Sequence, residues 1–101
     1  MEVIARGADR QLLIQLRGEL DHHGAKTVIH EISQAMDAAL PLYTILDFQG
    51  VSFMDSSGIA VLLRTQRRMQ ALGGKLTVIH LSAQAQKVLC AAGLERYITV
   101  E

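Results

Sequence analysis

The sequence predicts an α/β domain in which a mixed β-sheet is packed by helices. The β-rich runs Tyr43–Phe48 (YTILDF) and Lys75–Leu81 (KLTVIHL) are separated by a segment with helical apolar spacing. Strands separated by helices of this length need crossover connections, so much of the sheet is expected to be mixed or parallel and covered by helices. Half of the 101 residues are hydrophobic and a fifth are charged, which supplies a continuous core and argues against disordered or collagen-like classes. That length fits one domain, since single domains peak near about 100–150 residues, and residues 1–101 are read as one.

The elements follow in order. Val3–Arg6 and Gln11–Arg17 (QLLIQLR) flank the turn-forming Gly7-Ala8-Asp9 and read as two antiparallel strands, with Gly18 closing the second. From Ala25, the apolar Val28, Ile29, Ile32, Met36 and Ala39 recur at helical spacing, with polar Lys26, His30, Glu31, Gln34 and Asp37 between them, which marks an amphipathic helix. Pro41 falls in the loop that follows. Tyr43–Phe48 is then a central strand, and Ile59, Leu62, Leu63, Met69 and Leu72 mark a second helix. Gly73-Gly74 introduces the strand Lys75–Leu81, Ala83–Ala92 is a third helix, and Tyr97–Val100 closes the sheet. There is no repeat, linker or low-complexity tract.

Ten basic and ten acidic residues give a formal net charge of zero, so no field gathers nucleic acid or anionic lipid. The apolar run around Ile59–Leu63 falls far short of the ~20 residues of a membrane span, and Met1-Glu2 opens no signal pattern. A cytoplasmic protein is expected. The single cysteine, Cys90, allows no internal disulfide, and its neighbours Leu89 and Ala91 suit a thiol buried in the core.

The segment Phe53-Met54-Asp55-Ser56-Ser57-Gly58-Ile59 places two hydroxyls between a strand end and a helix start. A helix N-terminus leaves N–H groups unpaired, and Asp or Ser supplies the acceptor. One cap accounts for one polar residue, and three in a row exceed that need. Ser56 is expected to serve the cap. At ~100° per residue, Ser57 shares a face with Ala60, Arg64, Arg68 and Ala71, opposite Leu62 and Met69, and so faces solvent. By the same count Gln66 and Gln70 fall inward. Gly58 gains the helix nothing in propensity, so its missing Cβ is expected to leave room for a partner.

A second polar cluster, Gly18-Glu19-Leu20-Asp21-His22-His23, precedes the first helix, with Asp21 the candidate N-cap. Glu19, Asp21, His22 and His23 lack a distant ligand at diagnostic metal spacing, so no metal is expected, and no other cofactor. Arg64, Arg67 and Arg68 form a basic stripe, read as a solvated face before a partner contact. His30 and His80 read as ordinary surface or strand residues.

The run LDFQGVSFMDSSGI, with GELDHH at Gly18–His23 and AAGLERYI near the end, resembles the STAS domain of bacterial anti-sigma factor antagonists, of the sporulation (SpoIIAA-like) type. The resemblance covers essentially the whole chain. It implies the STAS fold, with a phosphorylatable serine at the N-terminus of the second helix. It also implies a function: the unphosphorylated protein binds an anti-sigma factor that is also a serine kinase and frees the sigma factor. Phosphorylation of the second serine of DSSG, here Ser57, switches binding off, and a serine phosphatase resets it. Asp21, His22, His23, Met54, Asp55, Ser56, Gly58 and Ile59 are the residues expected to meet the partner. Family members of this type commonly continue into a further helix, whereas this sequence stops at Glu101.

Enzyme readings find little to rest on. A serine hydrolase would want a G-x-S-x-G elbow, and only Gly58 follows Ser57 directly. Gly73-Gly74-Lys75 runs from helix to strand, the reverse of a phosphate-binding P-loop. The alternative from another class is a STAS adaptor that docks into a larger signalling or transport assembly without phosphorylation.

Overall fold

A computed structural model describes residues 1–101. Strands β1 (Glu2–Ala8) and β2 (Gln11–Leu20) pair antiparallel around a turn at Asp9 and Arg10, which take φ values of 53° and 61°. Two consecutive left-handed residues match the twist of a hairpin. The turn is held from outside: Arg10 Nε donates to the Leu40 carbonyl at 3.1 Å, and the Arg10 carbonyl accepts from Leu42 N–H at 2.8 Å. β2 runs to Leu20 rather than ending at Gly18, because Gly18 (φ 119°) absorbs a register shift and lets the strand continue.

Helix α1 spans His22–Ala39 and starts three residues earlier than its apolar period, because Asp21 caps it there. β3 (Tyr43–Met54) is six residues longer than the YTILDF run. Its polar second half, through Gln49, Gly50 and Ser52, is carried by backbone pairing to β2, which no side-chain pattern records. Helix α2 (Ser56–Ala71), strand β4 (Lys75–Ile79) and helix α3 (Ala83–Ala91) follow. β4 stops two residues short of Leu81 because His80 takes a φ of 60°. A 3-10 turn at Leu94–Arg96 binds Tyr97 and Ile98 N–H to the Leu94 carbonyl, which shortens β5 to Thr99–Val100.

The sheet order is β1-β2-β3-β4-β5, antiparallel at the β1–β2 edge and parallel elsewhere, as the crossover spacing predicts. Leu12, Ile14, Leu16, Leu46, Phe48, Leu76 and Val78 point to one face and are buried in one core with Val28, Met36, Leu62, Met69 and Leu89. Full burial of each such side chain contributes roughly 1.5–3 kcal/mol. The opposite sheet face carries no helix, and Tyr43 and Ile45 remain 58% and 38% exposed on it. No helix is long and apolar enough to cross a membrane.

Two sequence expectations fail here. Cys90 is exposed, because Leu89 takes the inward position and the next residue rotates ~100° away from it. Gln70 also lies on the surface, while Gln66 is half-buried with its Oε1 unpaired. The inward face of α2 is narrower than an even half of the helix.

Candidate functional site

β2 and β3 end in register, Leu20 opposite Met54, and both of these residues are fully buried. The next residue of each strand, Asp21 and Asp55, turns the chain into α1 and α2. Parallel neighbours lie ~4.8 Å apart, so two helix N-termini open side by side at one edge of the sheet. The Asp55 N–H donates to the Leu20 carbonyl at 3.3 Å and ties the two junctions together. GELDHH and FMDSSGI, 34 residues apart in the chain, thus form one surface.

At the first junction Asp21 Oδ1 accepts the Gly24 N–H at 2.9 Å. That bond, assisted by the nearby His23, outweighs desolvation and holds the Asp21 carboxyl below its ordinary range. Asp21 is therefore the cap that the sequence offers. His22 and His23 are exposed, their rings edge-to-face with centroids 5.9 Å apart. Glu19, Asp21 and His23 border a shallow hollow, but no three His, Cys, Asp or Glu side chains converge as a metal would require.

At the second junction Asp55, not Ser56, is the cap: its Oδ1 accepts the Ser57 N–H at 2.8 Å. Ser56 is the first helical residue and exposed, so the expectation that it serves the cap is corrected. Ser57 is half-buried rather than fully outward. Both hydroxyls are left without a hydrogen-bond partner in the chain, since the cap uses the backbone of Ser57 and not its side chain.

Two expected partner contacts become core residues. Met54 is buried and offers no side chain to a partner. Gly58 is buried as well, and a Cβ built there would lie 2.3 Å from Met54 Cγ and 3.1 Å from Leu20 Cδ2. Its missing side chain makes room for the protein's own strand ends rather than for a partner. Ile59 is half-buried against the core. The surface that remains consists of Asp21, His22, His23, Asp55, Ser56 and Ser57.

One contributor has no signal in the sequence. Gln84, in the first turn of α3, clips the end of β3: its Oε1 accepts Met54 N–H at 3.0 Å and its Nε2 donates to the Met54 carbonyl at 2.7 Å. Asp55 therefore enters α2 from a fixed backbone. Behind it on the open sheet face, Asp47 lies beside Gln49 N–H and His80 Nδ1, both at 2.9 Å. Burial raises the Asp47 pKa, yet the Gln49 N–H, the hydrogen bond and charge of His80, and Gln15 together outweigh it and leave the carboxyl below its usual range. His80, read as an ordinary residue, thus partners a buried carboxylate from the loop that leads into α3.

A STAS domain family model matches residues 2–101. The anti-sigma F factor antagonist of Lysinibacillus sphaericus is 33% identical over 94 residues, which cover 93% of this chain and 78% of that protein. The anti-sigma F factor antagonist of Paenibacillus polymyxa is 28% identical over 89 residues, 88% of this chain and 76% of that one. Among solved structures, the anti-sigma factor antagonist SpoIIAA in its unphosphorylated form superposes with a TM-score of 0.83 at 30% identity, covering 99% of this chain and 88% of that one. The Bacillus cell fate determinant SpoIIAA in its phosphorylated form gives a TM-score of 0.75 at 30% identity, covering 99% and 91%. The paired strand ends, the DSSG helix start and these similarities agree: the chain belongs to the STAS domain family of the anti-sigma factor antagonists.

Proposed function

We propose that this chain is an anti-sigma factor antagonist that acts by binding and is switched by phosphorylation of Ser57. Unphosphorylated, it binds an anti-sigma factor with serine kinase activity and releases the sigma factor held there; phosphorylated, it lets go until a serine phosphatase removes the phosphate. The observation that carries this reading is the free Ser57 hydroxyl in the first turn of α2, flanked by Asp55 and by the neighbouring Asp21 junction.

A phosphoserine adds about −1.5 to −2 charges at pH 7. The α2 N-terminus already holds the Asp55 carboxylate at its Ser57 N–H, so the new anion meets a like charge beside it. The helix tolerates this at the surface, but a docked partner does not. Like-charge juxtaposition and desolvation at an interface cost several kcal/mol, and ~1.4 kcal/mol is a tenfold change in affinity.

Incubation of the full chain with the cognate anti-sigma factor kinase and Mg-ATP, read by intact mass, tests the reading. One phosphate is expected on the native chain and none on Ser57→Ala, with the unfolding temperature of that variant unchanged. Stoichiometric labelling of Ser57→Ala would move the acceptor to the more exposed Ser56. No labelling of the native chain would favour an adaptor that docks without phosphorylation.

A further inference from the structure

α1 and α2 leave an open groove of about 400 Å³ between them. Ile29, Ile32, Met36 and Val61 form its floor, and its α2 wall carries Arg64, Arg67 and Arg68. The Arg68 guanidinium is engaged, with Nη2 2.7 Å from Asp37 Oδ1. Arg64 and Arg67 are exposed and have no carboxylate within ion-pair distance. No carboxylate lines the groove, although acidic and basic residues balance over the whole chain. Two unpaired guanidinium groups beside an apolar floor form a positive trough that suits an acidic and partly apolar ligand.

The trough is continuous with the switch surface. Ser57 and Arg64 lie seven residues apart on one side of α2, roughly 10.5 Å along the helix at 1.5 Å per residue. The surface is therefore bipolar, acidic at the helix starts (Asp21, Asp55) and basic two turns further on. We propose that the α1–α2 groove docks an acidic, amphipathic segment of the same partner protein that covers Ser57, with its carboxylates on Arg64 and Arg67 and its apolar side over Ile29. This inference rests on the proposed partner switching and adds to it a second anchoring point that fixes the partner's orientation.

The test titrates the unphosphorylated full chain against the anti-sigma factor kinase at low salt and again near 0.3 M salt, where the screening length drops to about half its low-salt value. The exposed pair Arg64→Glu and Arg67→Glu, made together, is expected to weaken binding about tenfold or more at low salt and less at high salt. Arg64→Lys with Arg67→Lys should stay within about threefold of the native chain, because charge is kept. At saturating kinase concentration both double variants should be phosphorylated at the native rate, which also shows that they are folded. Native affinity in the double glutamate variant, beside normal binding by the native chain, overturns the groove and leaves the switch standing. Absence of binding by the native chain overturns both.

Discussion

The two strand-to-helix junctions, Leu20-Asp21-His22-His23-Gly24-Ala25 and Met54-Asp55-Ser56-Ser57-Gly58-Ile59, follow one plan. Each has a fully buried apolar residue at the strand end, an aspartate cap, two polar residues, and a buried glycine whose absent Cβ would lie only 2.3 Å from its nearest obstacle. They differ in the two polar residues and in the reach of the cap. Asp21 bonds the N–H three residues on, whereas Asp55 bonds the N–H two residues on, that of Ser57 itself. The shared positions build the turn, and the differing pair is free to carry function: two imidazoles beside two hydroxyls. The obstacle differs as well, being the Glu19 carbonyl for Gly24 and the Met54 side chain for Gly58.

The largest effect expected from breaking this plan is at the glycines. Gly24→Ala drives a methyl into a backbone carbonyl that cannot rotate away, and should cost about 3 kcal/mol or more, at the upper end of the range for overpacking. Gly58→Ala presses on a methionine that can change rotamer, and should cost less, about 1–2 kcal/mol. Denaturant midpoints at constant slope measure both. Equal losses would show that the Met54 side chain yields no more than a backbone carbonyl does, whereas a Gly58 variant with native stability but impaired partner binding would return Gly58 to the interface.

Gln84→Ala comes next, since it strips both hydrogen bonds from the Met54 backbone and has no counterpart at the first junction. A loss of about 1–2 kcal/mol is expected, with faster amide exchange at Met54 but not at Leu20. Equal exchange at both strand ends would show that the clip holds nothing in place.

The smallest effect is in pH dependence. The folded Asp21 carboxyl sits below its unfolded value of ~3.9. Its contribution is therefore complete above that value and fades as pH falls through the folded one. Asp21→Asn keeps a cap acceptor and loses this titration, so its stability should lie just below native at neutral pH and converge with native in acid. Weaker binding of the Asn variant to the anti-sigma factor kinase at low ionic strength would assign the charge to the interface, and native binding would leave it to the cap.

Much of this molecule is determined by sequence alone. The apolar period of α1, the β-rich runs of β3 and β4 and the spacing between them dictate parallel strands under helices, because periodicity reports which side of an element is buried. Asp21 as a cap was legible for the same local reason. Tertiary structure alone decides what depends on residues far apart in the chain. The second half of β3 exists because β2 pairs with it, Gly58 is required by Met54 and Leu20, and the Met54 backbone is completed by Gln84 from another helix. Cys90 is outside and Met54 inside because burial is set by the neighbouring element that a side chain meets, and not by its own hydrophobicity.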